Sequence, residues 1–176
     1  GSIACTIVCG DAQLSTALPK IINAAYRKAG QVCTSIQLLL VHQSIVNDVQ
    51  ALLTKLVAAL PYGDPYDPKT FMGPVISEDN AIRIDAWIEE AVARGAQRLA
   101  GGRREGAVMP PTLLAGIDDT MRVSCREIFG PVMCVLPFAT LDQAIARVNA
   151  TPYGLATGIF TNRLDEALAA ARRLEV

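Results

Sequence analysis

With 176 residues, 51% of them hydrophobic and 19% charged, the chain is long enough to bury one good-sized core and too apolar to remain disordered; its length favours one domain over two. A formal net charge of −1 provides no broad basic field, and Arg103-Arg104 and Arg172-Arg173 are only local pairs, so no nucleic-acid partner is expected. The longest uncharged stretch, 29–47, carries Gln31, Thr34, Ser35, Gln37, His42, Gln43, Ser44 and Asn47 and is too polar for a membrane helix. The N-terminus has no basic segment leading into an apolar one, so nothing marks export and a cytoplasmic location is the expectation.

Residues 3–9 form a short apolar, β-branched run suited to a buried strand. From Asp11 a three- and four-residue spacing of Leu14, Leu18, Ile21, Ile22, Ala25 and Tyr26 predicts a helix, distorted in its middle by Pro19 and ending near Gly30. Residues 36–41 read as a second continuous apolar strand. Ser44 is placed to cap a following helix, with Ile45, Val49, Leu52, Leu53, Leu56 and Leu60 on one face. Residues 61–76 hold four prolines and two glycines and predict an ordered, turn-rich connection.

Ser77, Glu78 and Asp79 mark the start of another helix. Its buried face runs through Ile84, Trp87, Ile88, Ala91 and Val92, and Gly95 stops it. Residues 99–106 read as a surface turn. Strands are expected at 112–114, 132–136 and 157–160, and helices at 141–149 and from 164 onward. Strands alternating with helices predict an α/β fold whose parallel sheet is covered on both faces.

The five cysteines, Cys5, Cys9, Cys33, Cys125 and Cys134, include no pair at CxxC spacing, and with a single histidine no metal cluster is expected. Cys5, Cys9 and Cys134 lie among aliphatic residues and read as small buried hydrophobes. Cys33 differs, because it sits between Gly30-Gln31 and Thr34-Ser35 at the break between two periodic segments. A glycine that lets the backbone turn tightly can present such a thiol to a cleft, and a partly buried structural thiol is the competing reading. A thiol nucleophile also needs a base and an oxyanion donor. His42 closes an apolar strand and reads as a strand-end polar group, which disfavours a Cys/His enzyme.

Several segments, in order and spacing, resemble the aldehyde dehydrogenase superfamily across essentially the whole chain. Arg27-Lys28-Ala29-Gly30-Gln31-Val32-Cys33 is similar to the family's nucleophile segment. Gly63-Asp64-Pro65, Asp67-Pro68, Thr70 and Met72-Gly73-Pro74 are similar to its long connector, and Pro111-Thr112-Leu113 follows in order. Glu127-Ile128-Phe129-Gly130-Pro131-Val132 resembles its cofactor-contact motif, and Asn149 with Tyr153-Gly154-Leu155 continues the pattern.

The resemblance implies the parallel-sheet, three-layer catalytic domain of the aldehyde dehydrogenase type. It implies NAD or NADP as cofactor, an aldehyde as substrate, and a parent protein that is a homodimer or homotetramer. Cys33 is carried over as the nucleophile, with its backbone N–H helping to stabilise the oxyanion. Glu127 is carried over as the carboxylate facing the nicotinamide ribose and Phe129 as the ring that positions the nicotinamide, while Val32 and Thr34 flank the substrate mouth. Without the resemblance, Glu127 reads as a surface acid and Phe129 as a core aromatic.

The sequence departs from the family where two acids often precede Ile-Phe-Gly-Pro and Arg126-Glu127 stands here, and where Asp11-Ala12-Gln13-Leu14 replaces Asp-Ala-Asp-Leu. Gly1-Ser2 reads as a cloning remnant or as the end of the family's Glu-Leu-Gly-Gly, which would put the general-base glutamate before residue 1. The expectation is an incomplete, cysteine-bearing catalytic domain over 1–176, with the dinucleotide-binding domain outside it and no turnover by the piece alone. A coenzyme A-acylating relative, and a non-catalytic interaction module on the same fold, are the alternative readings.

Overall fold

The computed structural model describes residues 1–176. A six-stranded sheet runs in the order β3-β4-β5-β2-β1-β6. Its strands are β1 (Ala4–Val8), β2 (Ile36–His42), β3 (Gln97–Ala100), β4 (Thr112–Ala115), β5 (Val132–Phe138) and β6 (Thr157–Phe160). All neighbouring pairs are parallel except β3 with β4. The central strand, β2, is held on one edge by β1 and on the other by β5, with Leu38 opposite both Cys5 and Cys134. Leu38, Leu39, Leu40 and Val41 are all buried, so both faces of the strand are covered, as its uninterrupted apolar run requires.

Six helices form the outer layers: α1 (Leu14–Tyr26), α2 (Val46–Ala58), α3 (Glu78–Ala93), α4 (Arg122–Cys125), α5 (Leu141–Asn149) and α6 (Leu164–Arg173). The β1-to-β2 and β4-to-β5 connections move in opposite directions along the sheet, so right-handed crossovers put their helices on opposite faces. Accordingly α1 packs with α2, while α3 packs with α4 and α5 with α6.

The predicted elements are present, with local differences. α1 runs through Pro19 without a break; the missing N–H leaves the Ser15 carbonyl without its usual helical donor. Ser44 does not cap α2. Its hydroxyl instead pairs with His42 Nδ1 at 2.7 Å, and Ile45 occupies the cap position with no side-chain bond. The buried face of α2 is Val49, Leu53 and Val57, whereas Leu52 and Leu56 are 41% and 42% exposed. Part of the expected surface turn at 99–106 is β3, an antiparallel edge strand. The helix start at Ser77 is as read, since its hydroxyl accepts from the Asn80 N–H at 3.3 Å. Gly95, at φ +104°, supplies the left-handed residue that ends α3.

Leu53 is fully buried within the continuous core, and Leu52 beside it is not. Leu53→Ala is expected to cost about 2–5 kcal/mol, the range for a buried leucine truncation. Leu52→Ala should stay within about 0.5 kcal/mol, as surface substitutions do. Urea midpoints of the two variants check the contrast.

Candidate active site

β1, β2 and β5 are adjacent and parallel, so the segments that lead into them meet at one edge of the sheet. The lead-in to β2 is the cysteine segment. α1 passes into a 3₁₀ turn, Arg27–Gly30, in which Lys28 and Ala29 have φ of 54° and 55°, and Gly30 has +67°. Non-glycine residues avoid this region, so the turn is held from outside. The buried Tyr26 hydroxyl donates to the Thr112 carbonyl at 2.9 Å. Gln31 Oε1 accepts from the Ile76 N–H at 2.8 Å, which ties the turn to the end of the proline-rich connection.

After Gln31 the chain makes a tight turn closed by the Ser35 N–H donating to the Val32 carbonyl at 2.8 Å. Cys33 and Thr34 form its apex, and Cys33 is exposed. The N–H groups of Cys33 and Thr34 donate to no protein acceptor. The other thiols differ in setting. Burial pushes the Cys5 thiol up to about 11. It pushes Cys9 and Cys134 to about 12, helped at Cys9 by the Glu166 carboxylate, which accepts a hydrogen bond from the thiol. Cys125 is half-buried.

The lead-in to β5 carries Glu127 and Phe129. Phe129 is 43% exposed and has φ 52°, a third strained non-glycine position on the same edge. Glu127 Oε1 accepts from the Ser2 N–H at 2.8 Å, which joins the start of β1 to the pair. The two lead-ins touch directly: a Cβ on Gly30 would lie 2.1 Å from the Gly130 carbonyl oxygen. Gly30 is therefore required both by its φ and by this approach.

A narrow crevice opens between them, walled by Ser2, Val32, Ser35, Glu127 and Phe129. Val32, Glu127 and Phe129 thus share one wall. Cys33 and Thr34 stand outside that wall, on the exposed turn. Ser35 Oγ, in the wall, is buried without a hydrogen-bond partner. His42 lies at the far end of β2, where Nε2 pairs with the Ala139 carbonyl at 3.2 Å. At about 3.3 Å per residue along the strand it is ~20 Å from the cysteine turn and is no base for it.

Two supporting residues were not singled out from the sequence. Gln37 is buried within β2, and its Nε2 donates to the Val123 and Arg126 carbonyls at 3.0 and 2.7 Å, while Oε1 accepts from the Ile128 N–H at 2.9 Å. Arg83 on α3 donates to the Ile128 carbonyl at 2.7 Å and stacks over Trp87 at 4.8 Å. Burial lowers the Arg83 pKa, opposed by the charge of Glu127. The signal in the sequence was an amide inside an otherwise apolar strand, since a buried amide demands partners.

The aldehyde dehydrogenase family matches over residues 1–176. The chain belongs to the aldehyde dehydrogenase family. It is 39% identical, over its full length, to a 3-sulfolactaldehyde dehydrogenase from Priestia aryabhattai, of which it covers 37%. An NADP-dependent glyceraldehyde-3-phosphate dehydrogenase from Bacillus halodurans, solved with NADP, superposes with TM-score 0.96 at 35% identity. The match covers 100% of this chain and 37% of that one. A betaine aldehyde dehydrogenase from Staphylococcus aureus, solved with NAD+, gives 0.95 at 33% identity, covering 100% and 36%. The chain therefore spans little more than a third of the length of these relatives, and its mostly parallel sheet is that of the family's catalytic domain.

Gly30→Ala combines a left-handed φ with a backbone clash, and is expected to destabilise by about 2 kcal/mol or more. Gly130→Ala meets chiefly the Ile84 Cδ1 methyl, at 2.4 Å, which is the flexible end of a side chain and can move. Thermal melts should rank Gly30→Ala well below Gly130→Ala.

Proposed function

We propose that these residues form the cysteine-bearing catalytic part of an NAD(P)-dependent aldehyde dehydrogenase that releases a carboxylic acid. The observation that carries the reading is the placement of Cys33: an exposed thiol on a tight turn, beside a free backbone N–H, one strand away from Glu127 and Phe129. The Cys33 thiolate attacks the aldehyde carbon, and the oxyanion formed is met by the Cys33 N–H. A hydride then leaves that carbon, giving a thioester on Cys33. Water cleaves the thioester, releasing the acid and restoring the thiol. Thiolate suits both halves because it attacks a carbonyl well and leaves an acyl group readily.

The residues present fit a nicotinamide nucleotide. Glu127 offers a carboxylate to a ribose diol, and its Oε2 is not engaged by the Ser2 N–H. Ser35, which lines the same crevice, has a buried hydroxyl without a hydrogen-bond partner, and the exposed Phe129 ring can flank a flat heterocycle. The bound nucleotide supplies the hydride acceptor. Val32 and Thr34, flanking the nucleophile, line the substrate mouth. The cytoplasm as location, and a homodimer or homotetramer as the assembly of the full-length enzyme, belong to the same proposal.

Three of the other thiols are raised to about 11 or 12, so at pH 8 they stay protonated as well as buried. Brief iodoacetamide treatment of the native chain, followed by peptide mapping, should label Cys33 first. Labelling of Cys5 or Cys134 ahead of it would remove the basis of the proposal.

The base that activates the water, and the sites for the dinucleotide's phosphates and adenine, are carried over from the family to positions outside residues 1–176. A general base contributes roughly a hundred- to ten-thousandfold. Residues 1–176 by themselves are therefore expected to show no sustained NAD(P)H formation with a panel of aldehydes, followed by absorbance of the reduced nicotinamide. Steady turnover lost in Cys33→Ser would require a base within these residues.

A further inference from the structure

Ile128 lies between the two residues proposed to meet the cofactor, and the peptides on both sides of it are gripped by side chains. The peptide joining Glu127 to Ile128 gives its N–H to Gln37 Oε1 at 2.9 Å. The peptide joining Ile128 to Phe129 gives its carbonyl to Arg83 at 2.7 Å. Fixing the first plane constrains the backbone of Glu127. Fixing the second constrains Phe129, whose φ of 52° an unsupported phenylalanine would leave.

Gln37 does more than meet one group. Its Nε2 also holds the carbonyls of Val123 and Arg126, so a single buried amide organises the chain from α4 to Ile128. Only an amide has both the two donors and the acceptor that this pattern uses. Gln37 stands four residues after Cys33, near the start of β2, so the strand that carries the nucleophile turn also carries the clamp on the neighbouring loop. We propose that Gln37, with Arg83 on the other side of Ile128, is a positioning residue that sets Glu127 and Phe129 relative to Cys33. The proposal rests on the cofactor-facing reading of those two residues.

The test uses the full-length enzyme with Gln37→Leu, Arg83→Met and, as reference, Glu127→Gln. All rates are normalised to the Cys33 thiol titrated in each preparation, so that a lower folded fraction does not count. Gln37→Leu is expected to raise KM for NAD(P)+ and slow the single-turnover hydride step per thiol by roughly ten- to a hundredfold, the scale of small misplacements. It should leave the rate of Cys33 alkylation without cofactor unchanged. Arg83→Met, a half-exposed residue whose loss the fold tolerates better, should move the same two parameters less. In the 176-residue chain, the Ile128 amide should exchange with deuterium faster in Gln37→Leu.

If both variants lower only the melting temperature, with kinetics per thiol like wild type, Gln37 is a structural amide and the proposal fails. It fails equally if Cys33 alkylation falls in step with hydride transfer, which would make Gln37 a support of the nucleophile turn. Should Glu127→Gln slow hydride transfer while Gln37→Leu and Arg83→Met do not, only the positioning role is lost. A normal Glu127→Gln enzyme would overturn the cofactor-facing reading and the positioning role together.

Discussion

The contact between Gly30 and the Gly130 carbonyl is the constraint on which the candidate site depends. No side chain fits between the two lead-ins, since a Cβ at Gly30 would sit 2.1 Å from that oxygen. The contact sets the distance between the cysteine turn and the Glu127–Phe129 loop at backbone separation, closer than packed side chains would permit. Around it the chain is pinned repeatedly: Tyr26 to the Thr112 carbonyl, the Thr112 N–H to the Pro131 carbonyl, and the Val132 N–H to the Gly130 carbonyl. These bonds join the end of α1, the start of β4 and the start of β5. Positive-φ residues at 28, 29 and 129 each cost about 1–2 kcal/mol relative to relaxed backbone, and they persist because that lattice leaves them no freedom to relax.

Much of the fold was legible because its elements obey a single period each. β2 is apolar at nearly every position, α3 shows a clean three- and four-residue stripe with a serine before it and a glycine after it, and the proline-rich connection could be neither helix nor strand. The misreadings were local and physical. α2 has apolar residues on more than one face, so periodicity could not tell Val57 from Leu56. β3 is short, with Gln97 exposed and Arg98 and Leu99 half-buried; an edge strand of four residues has no alternation to detect. At Ser44, the hydroxyl that could have accepted from a backbone N–H of the first helical turn is engaged by the neighbouring imidazole instead.

The candidate site was legible in a different way. Composition and spacing isolated Cys33 as unusual but left it divided between a catalytic and a structural thiol. What brought Glu127 and Phe129 into the same account was the ordered set of motifs resembling a family, since Glu127 stands 94 positions after Cys33 in the sequence. The pairing of β2 with β5 closes that separation in space. Gln37 and Arg83 escaped notice because their work is done on backbone atoms. A sequence shows which side chains are present, but it does not show which carbonyls and amides are left without partners until the chain is folded.

The position of the site on the sheet follows from the same hydrogen bonding. Parallel α/β sheets commonly bind ligands beyond the carboxyl ends of their strands, and a hollow does exist there, lined by Cys9, Asp11, His42, Arg163 and Glu166. Its polar groups are already engaged with one another. Both Asp11 oxygens accept from the Thr161 hydroxyl at 3.0 Å, Asn162 N–H adds a bond of 2.7 Å, and His42 is held by Ser44 and Ala139. This hollow fastens the loop after β1 to the loop after β6. At the opposite edge the balance is reversed: the Cys33 and Thr34 amides, the Ser35 hydroxyl and one Glu127 oxygen have no protein partner. Unspent hydrogen-bonding capacity beside strained, rigidly held backbone is what a ligand can use, and this edge has both.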